Sequence, residues 1–90
     1  MSKYNTKIDN VGNKRYYLNN LLHREDGPAI EQVSGYKAWY KNGKYHREDG
    51  PAIEYPNGDE LWYLNDVYYG SNDELTNESW IRFIKTLMFS

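Results

Sequence analysis

Nine consecutive residues, His23-Arg24-Glu25-Asp26-Gly27-Pro28-Ala29-Ile30-Glu31, stand again unchanged as His46-Arg47-Glu48-Asp49-Gly50-Pro51-Ala52-Ile53-Glu54, an offset of 23 residues. So strict a repeat constrains the fold before any propensity is weighed. Each copy must be one supersecondary unit that packs on its neighbour, because a unit this short cannot bury a face alone. The register extends past the block. Gly12, Gly35 and Gly58 align, as do Tyr16-Tyr17, Trp39-Tyr40 and Trp62-Tyr63, followed by Asn19-Asn20, Asn42-Gly43 and Asn65-Asp66. The third copy departs where Tyr69 and Gly70 replace His and Arg. The repeat region therefore covers 12–70, divided into 12–34, 35–57 and an incomplete 58–70, within one domain over 1–90. A deviating terminal copy is what a capped array should show.

Each copy reads as two short strands. The aromatic segment Tyr36-Lys37-Ala38-Trp39-Tyr40-Lys41 runs into Asn42-Gly43, a strong hairpin signal, and Lys44-Tyr45-His46 returns. The turn residues Asp26, Gly27 and Pro28, and their equivalents Asp49, Gly50 and Pro51, interrupt the chain before Ala52-Ile53-Glu54-Tyr55 extends again. Pro56-Asn57-Gly58-Asp59 turns that strand into Glu60-Leu61-Trp62-Tyr63-Leu64. The expected fold class is mainly β: an antiparallel meander of repeated hairpins in one elongated, twisted sheet. Alternation places Tyr17, Tyr40 and Tyr63 on one face, and Tyr16, Trp39 and Trp62 on the other. Both faces carry apolar bulk, so one could be core and the other a binding surface, or the sheet could curl or dimerise. The tail changes period. Thr76 can cap a helix over 76–89, with Trp80, Ile81, Ile84, Leu87 and Met88 as its apolar stripe and Phe83 on the flank. That helix is expected to cover an end or a face of the sheet.

Composition removes several function classes. The 11 Lys and Arg against 13 Asp and Glu leave a net charge of -2, which does not suit a nucleic-acid binder. The absence of Cys excludes disulfides and thiolate metal sites. No apolar run suits a signal peptide or a membrane span, so the expected location is the cytoplasm, and no membrane partner is expected. Trp and Tyr, 3 and 10 residues against 2 Phe, suit half-buried sheet faces and contact surfaces more than a deeply apolar core.

His23 and His46, with their neighbouring carboxylates, hold groups used in acid–base chemistry. They lack a nucleophile and occur twice, which argues for a structural role. Asp26 and Asp49 can accept backbone N–H bonds in the turn. Arg24 and Arg47 can pair with those carboxylates or with a neighbouring copy. The two His rings can stack between aromatics of adjacent hairpins. Two imidazoles without a firm third ligand make a weak metal signal, so neither a metal nor a cofactor is expected, and no catalytic residue is assigned. The candidate binding residues are the ladder Tyr16, Trp39 and Trp62, together with Tyr40, Tyr63, Tyr45, Arg24 and Arg47. Tyr36, Tyr55, Tyr68 and Tyr69 are further contact residues. If exposed, the ladder offers a protein-binding or base-stacking surface. Otherwise it packs under the C-terminal helix or a second subunit.

The stretch Trp39 to Ala52, with its Asn-Gly turn and His-Arg-Glu-Asp-Gly-Pro-Ala block, resembles a repeat of small tailed-bacteriophage and bacterial proteins that is distantly similar to MORN repeats. Leu75-Thr76-Asn77-Glu78 and Trp80 resemble the short helix that often follows such arrays. The resemblance covers roughly residues 12–84 and implies a β-hairpin repeat fold of phage or prophage origin. MORN-type repeats serve as protein- or lipid-binding platforms, and the inserted Arg-Glu-Asp-Gly-Pro turn departs from their pattern. The leading expectation is a non-enzymatic binding protein, a phage-encoded inhibitor that blocks a host bacterial protein sterically. The alternatives are a nucleotide- or small-ligand-sequestering protein, in which a homo-oligomer places Tyr rings and Arg24 or Arg47 around the ligand, and a structural or assembly protein of a virion.

Overall fold

The 23-residue sequence period becomes a period in backbone hydrogen bonding. The computed structural model describes residues 3–89. The strands are β1 (Asn5–Ile8), β2 (Lys14–Leu18), β3 (Leu21–Leu22), β4 (Ile30–Glu31), β5 (Lys37–Ala38), β6 (Tyr40–Lys41), β7 (Lys44–Tyr45), β8 (Ile53–Glu54), β9 (Glu60–Leu64) and β10 (Val67–Ser71), and helix α1 spans Asn77–Phe89. The main antiparallel sheet runs β1-β2-β4-β5-β8-β9-β10, with β3 on β2, and β6 and β7 form a separate hairpin. The fold is mainly β with one C-terminal helix, in the meander order the repeat implies.

The bonds recur copy by copy. Tyr16 N–H donates to Ala29 O, and Trp39 N–H to Ala52 O, at 2.8 and 2.7 Å. His23 N–H donates to Tyr16 O, and His46 N–H to Trp39 O. Arg24 N–H reaches Tyr40 O, and Arg47 N–H reaches Tyr63 O, so each copy is laced to the hairpin of the next. All three hairpin tips turn through two residues of positive φ: Asn19 and Asn20 at 52° and 66°, Asn42 and Gly43 at 52° and 82°, Asn65 and Asp66 at 49° and 69°. That is the type I′ turn, whose twist matches the flanking strands and which Asn, Asp and Gly tolerate best.

One expectation needs correction. The aromatic segment of the second copy does not run unbroken within a single sheet. Trp39 sends its N–H to Ala52 on one side and receives His46 N–H on the other. The strand changes partners there, pairing with β4 and β8 before Trp39 and with β7 after it. A regular antiparallel residue directs both its polar groups to one neighbour, so at Trp39 the chain passes from the main sheet to the β6–β7 hairpin; Tyr16 makes the same exchange inside an unbroken β2.

β1 is an element that hairpin signals alone did not reveal. Asp9 N–H to Asn13 O and Gly12 N–H to Asp9 O repeat the turn made by Gln32, Gly35 and Tyr36 and by Tyr55, Gly58 and Asp59. The array therefore starts a half-copy earlier than Gly12.

The core is thin, in a body of 41 × 29 × 19 Å. Ala29, Ala38, Ala52 and Ile53 are buried along the middle strands, and Pro51 is buried beside them. At the C-terminal end Trp62, Trp80 and Ile84 form an apolar cluster, flanked by Leu64, Leu75 and Phe83. Helix α1 starts as expected: Ser79 N–H donates to Thr76 Oγ1 at 3.1 Å and Thr76 N–H to Ser79 Oγ at 3.0 Å, a reciprocal cap. Its stripe is only partly used. Trp80 and Ile84 are buried, whereas Ile81, Leu87 and Met88 are exposed. Among the described residues no helix is long and apolar enough to cross a membrane.

Candidate functional site

Each His-Arg-Glu-Asp-Gly-Pro block folds its arginine back over the aromatic residue that opens its own copy. The Arg24 guanidinium lies 4.0 Å from the Tyr16 ring centre, and that of Arg47 lies 3.8 Å from the Trp39 ring. Arg24 Nε donates to Asp26 at 2.9 Å, and its Nη1 donates to Pro28 O at 3.2 Å and to Glu31 at 2.6 Å. Arg47 repeats the set with Asp49, Pro51 O and Glu54 at 2.9, 3.1 and 3.1 Å. Stacking on a ring face while satisfying planar acceptors is what guanidinium geometry allows and an ammonium does not. Burial alone would lower the Arg24 pKa, yet its bonds to Asp26 and Glu31 carry it above the ordinary value. The same Arg24 bond holds the Asp26 carboxyl below the usual range.

This arrangement settles two expectations. The Asp26 and Asp49 side chains serve chiefly as acceptors for their own arginines. Glu31 and Glu54, not singled out from the sequence, complete the pairing. Their signal was present: an arginine and a glutamate seven residues apart, in both identical blocks. The turn glycines also gain a specific reason. A Cβ on Gly27 would stand 3.0 Å from Arg24 Cζ, and one on Gly50 only 2.7 Å from Arg47 Cζ. The guanidinium lies directly against these glycines.

The histidines are held by hydrogen bonds to the following hairpin tip more than by the stacking between hairpins that was expected; His23 has a ring contact with Tyr4, at 6.4 Å. Asn42 N–H donates to His23 Nδ1 at 2.9 Å, and Asn65 N–H donates to His46 Nδ1 at 3.1 Å. Each imidazole thus accepts a bond from the tip of the following copy, which requires an unprotonated Nδ1. The other nitrogen of His46 faces Glu48 at 2.9 Å. Tyr4 supplies a partner that the sequence did not signal: its hydroxyl accepts Glu25 N–H at 2.9 Å, and its ring meets Tyr16 edge-on. Among the described residues no group of three or more His, Cys, Asp or Glu stands together as a metal site.

The ladder Tyr16, Trp39 and Trp62 is therefore not a bare surface. Arg24 covers Tyr16 and Arg47 covers Trp39. At the third copy Gly70 stands where the arginine would be, and α1 covers Trp62 with Trp80 and Ile84 instead. A Cβ on Gly70 would meet Leu75 at 3.1 Å. Trp62 is only 1% exposed, so it leaves the set of contact residues. The physical reason is that the missing arginine leaves an apolar face, which the amphipathic helix fills.

Two features remain accessible. One is an open groove of about 690 Å³ between the two equivalent loops, lined by Arg24, Asp26, Trp39, Tyr40, His46 and Asp49, among others. Its guanidinium groups already face carboxylates, while Asp26 and Asp49 have side-chain exposures of 72% and 83%. The other is a continuous tyrosine face. Ring centres step from Tyr40 to Tyr45, from Tyr45 to Tyr63 and from Tyr63 to Tyr68 at 4.6, 5.1 and 5.4 Å, and Tyr36 meets Tyr55 at 5.5 Å. Burial within this cluster, reinforced by interaction with Tyr45, pushes the Tyr36 phenol up to about 12 and raises that of Tyr40 as well. The structure thus brings Tyr40, Tyr45 and Tyr63 together with Tyr36, Tyr55 and Tyr68, while Arg24 and Arg47 hold the loops; Tyr40 also lines the groove beside both arginines.

Comparison with protein-family models, with curated proteins and with solved structures yields no match to this chain.

Proposed function

We propose that this chain is a non-enzymatic protein-binding module whose contact surface is the tyrosine face built by Tyr36, Tyr40, Tyr45, Tyr55, Tyr63 and Tyr68. The observation that carries the reading is the unbroken run of ring contacts from Tyr40 to Tyr68, ending on Tyr68 at 51% exposure. Tyrosine offers large contact area and a polar hydroxyl at low cost in side-chain entropy, and it is enriched at interface hot spots. Rings held against one another lose little freedom on binding, so the surface is preorganised. The mode of action is steric: the face covers a partner's working surface. A host bacterial protein is the partner class that accords with the resemblance to phage repeat proteins.

A second reading, capture of a small ligand, draws on the groove between the loops. Trp39 and Tyr40 could stack a planar ring there. A phosphate, however, would have to displace a carboxylate from Arg24 or Arg47.

The test is affinity capture from bacterial lysate with wild-type chain and with Tyr55→Ser and Tyr68→Ser, the two most exposed rings of the face. One stoichiometric protein retained by wild type and lost from both folded variants is the expected result. Equal retention by the variants removes the face. Retention of a small molecule and no protein replaces the reading with the second one.

A further inference from the structure

Among the described residues the main sheet ends on β1 at one edge and on β10 at the other. β4 lies between β2 and β5, and β8 between β5 and β9. β1 holds the same repeat position: Lys7 stands opposite Arg15 as Ile30 stands opposite Ala38 and Ile53 opposite Leu61. Among the described residues β1, like β10 at the opposite edge, has a strand on one side only. The β10 edge differs, because a bulge interrupts it. A bulge at Tyr69 re-aims β10 so that Gly70 and Ser71 pair with Trp62 and Leu61. Asn72 then exchanges bonds with Glu60, accepting its N–H on Oδ1 and donating its own N–H to Glu60 O.

We propose that β1 is a self-association edge, pairing antiparallel with β1 of a second copy of this chain across a two-fold axis to continue the sheet. Asp9 N–H points inward to Asn13 O, so alternation aims the N–H and C=O groups of Thr6 and Ile8 outward. An edge of this kind is normally blunted by proline, a bulge or several charges. β1 has no proline and no bulge, and Lys7 is its one charged residue.

The side chains fit a second copy better than a further repeat. In the inner copies the position of Ile8 is held by Glu31 and Glu54, each tied to an arginine. Here it is an isoleucine at 61% exposure, with Val11 at 66% and Val33 at 63% by the same turn. These are three of the most exposed large apolar side chains in the described residues. In an isologous pair outward groups must meet outward groups. Centring on Lys7 would set two ammonium groups face to face, whereas centring on Ile8 joins the two isoleucines and places Lys7 opposite Asp9 of the other copy.

The experiment is sedimentation velocity on the full chain from about 10 μM to about 1 mM, with Ile8→Pro and Ile8→Lys, since complexes of small buried area dissociate in that range. Ile8→Pro deletes both central bonds without touching the β1–β2 ladder, and Ile8→Lys keeps the backbone but sets like charges together. The expected result is a reversible monomer–dimer equilibrium, weakened at least tenfold by both substitutions, with far-UV dichroism matching wild type. Ile8→Lys carries the test if the proline variant unfolds. A chain that stays monomeric throughout the range overturns the proposal. So does a dimer that Ile8→Lys leaves intact, which would assign self-association to another surface.

Discussion

Gly50→Ala isolates the arginine clasp, because its effect should change sign with the residue at position 47. Gly50 is buried, and its φ lies outside the left-handed region. Alanine therefore meets no backbone penalty and would ordinarily stabilise by about 0.4–1 kcal/mol through the unfolded chain. The new methyl would instead stand 2.7 Å from Arg47 Cζ, closer than carbon atoms approach. The guanidinium must leave the Trp39 ring and its bond to Pro51 O. The lost stack and the unpaired carbonyl cost together about 2–3 kcal/mol, with little added by the exposed Asp49 link. Net destabilisation of about 1–2 kcal/mol is expected for Gly50→Ala alone. In an Arg47→Ala background the collision is absent, so the same substitution should be neutral or stabilising. Urea denaturation of the four chains, followed by Trp fluorescence, completes the cycle. Equal destabilisation by Gly50→Ala in both backgrounds would refute the clasp as the reason for glycine.

The His-to-tip bonds can be read by hydrogen exchange. His46→Ala should speed exchange at the Asn65 amide at least tenfold and leave Asn42 slow, and His23→Ala should do the converse; matching effects at both amides would point to general loosening instead. The tyrosine face sets an alkaline limit. Tyr36 is raised from 10.0 to about 12 in the folded chain, with Tyr40 raised as well. A raised folded pKa contributes stability that is whole below the unfolded value and is lost as pH climbs through the folded one. Melting temperature should therefore fall between pH 10 and about 12, and absorbance titration should show these phenols ionising after the exposed ones. Ionisation of every tyrosine near pH 10 with an unchanged melting temperature would contradict the cluster.

The hairpins, their tips and the helix cap were legible because each rests on local rules. Asn42-Gly43 and its equivalents specify a type I′ turn wherever they stand, Thr76 caps the chain that follows it, and a strict 23-residue register can only propagate one unit. β1 shows where local rules fail: its four exposed residues carry no alternating pattern, and only the geometry of the Asp9–Asn13 turn reveals that they repeat β4 and β8. The binding residues were divided for the same reason. By alternation Tyr16, Trp39 and Trp62 look equivalent, and so do Tyr40 and Tyr63. What covers a side chain depends on groups brought from elsewhere in the chain: Arg24 and Arg47 folded back across their own loops, and Trp80 and Ile84 carried over by a helix that begins 15 residues after Trp62. Which face stays open follows from where those long-range partners land, and that is a property of the tertiary structure because burial is decided by through-space packing and not by order along the chain.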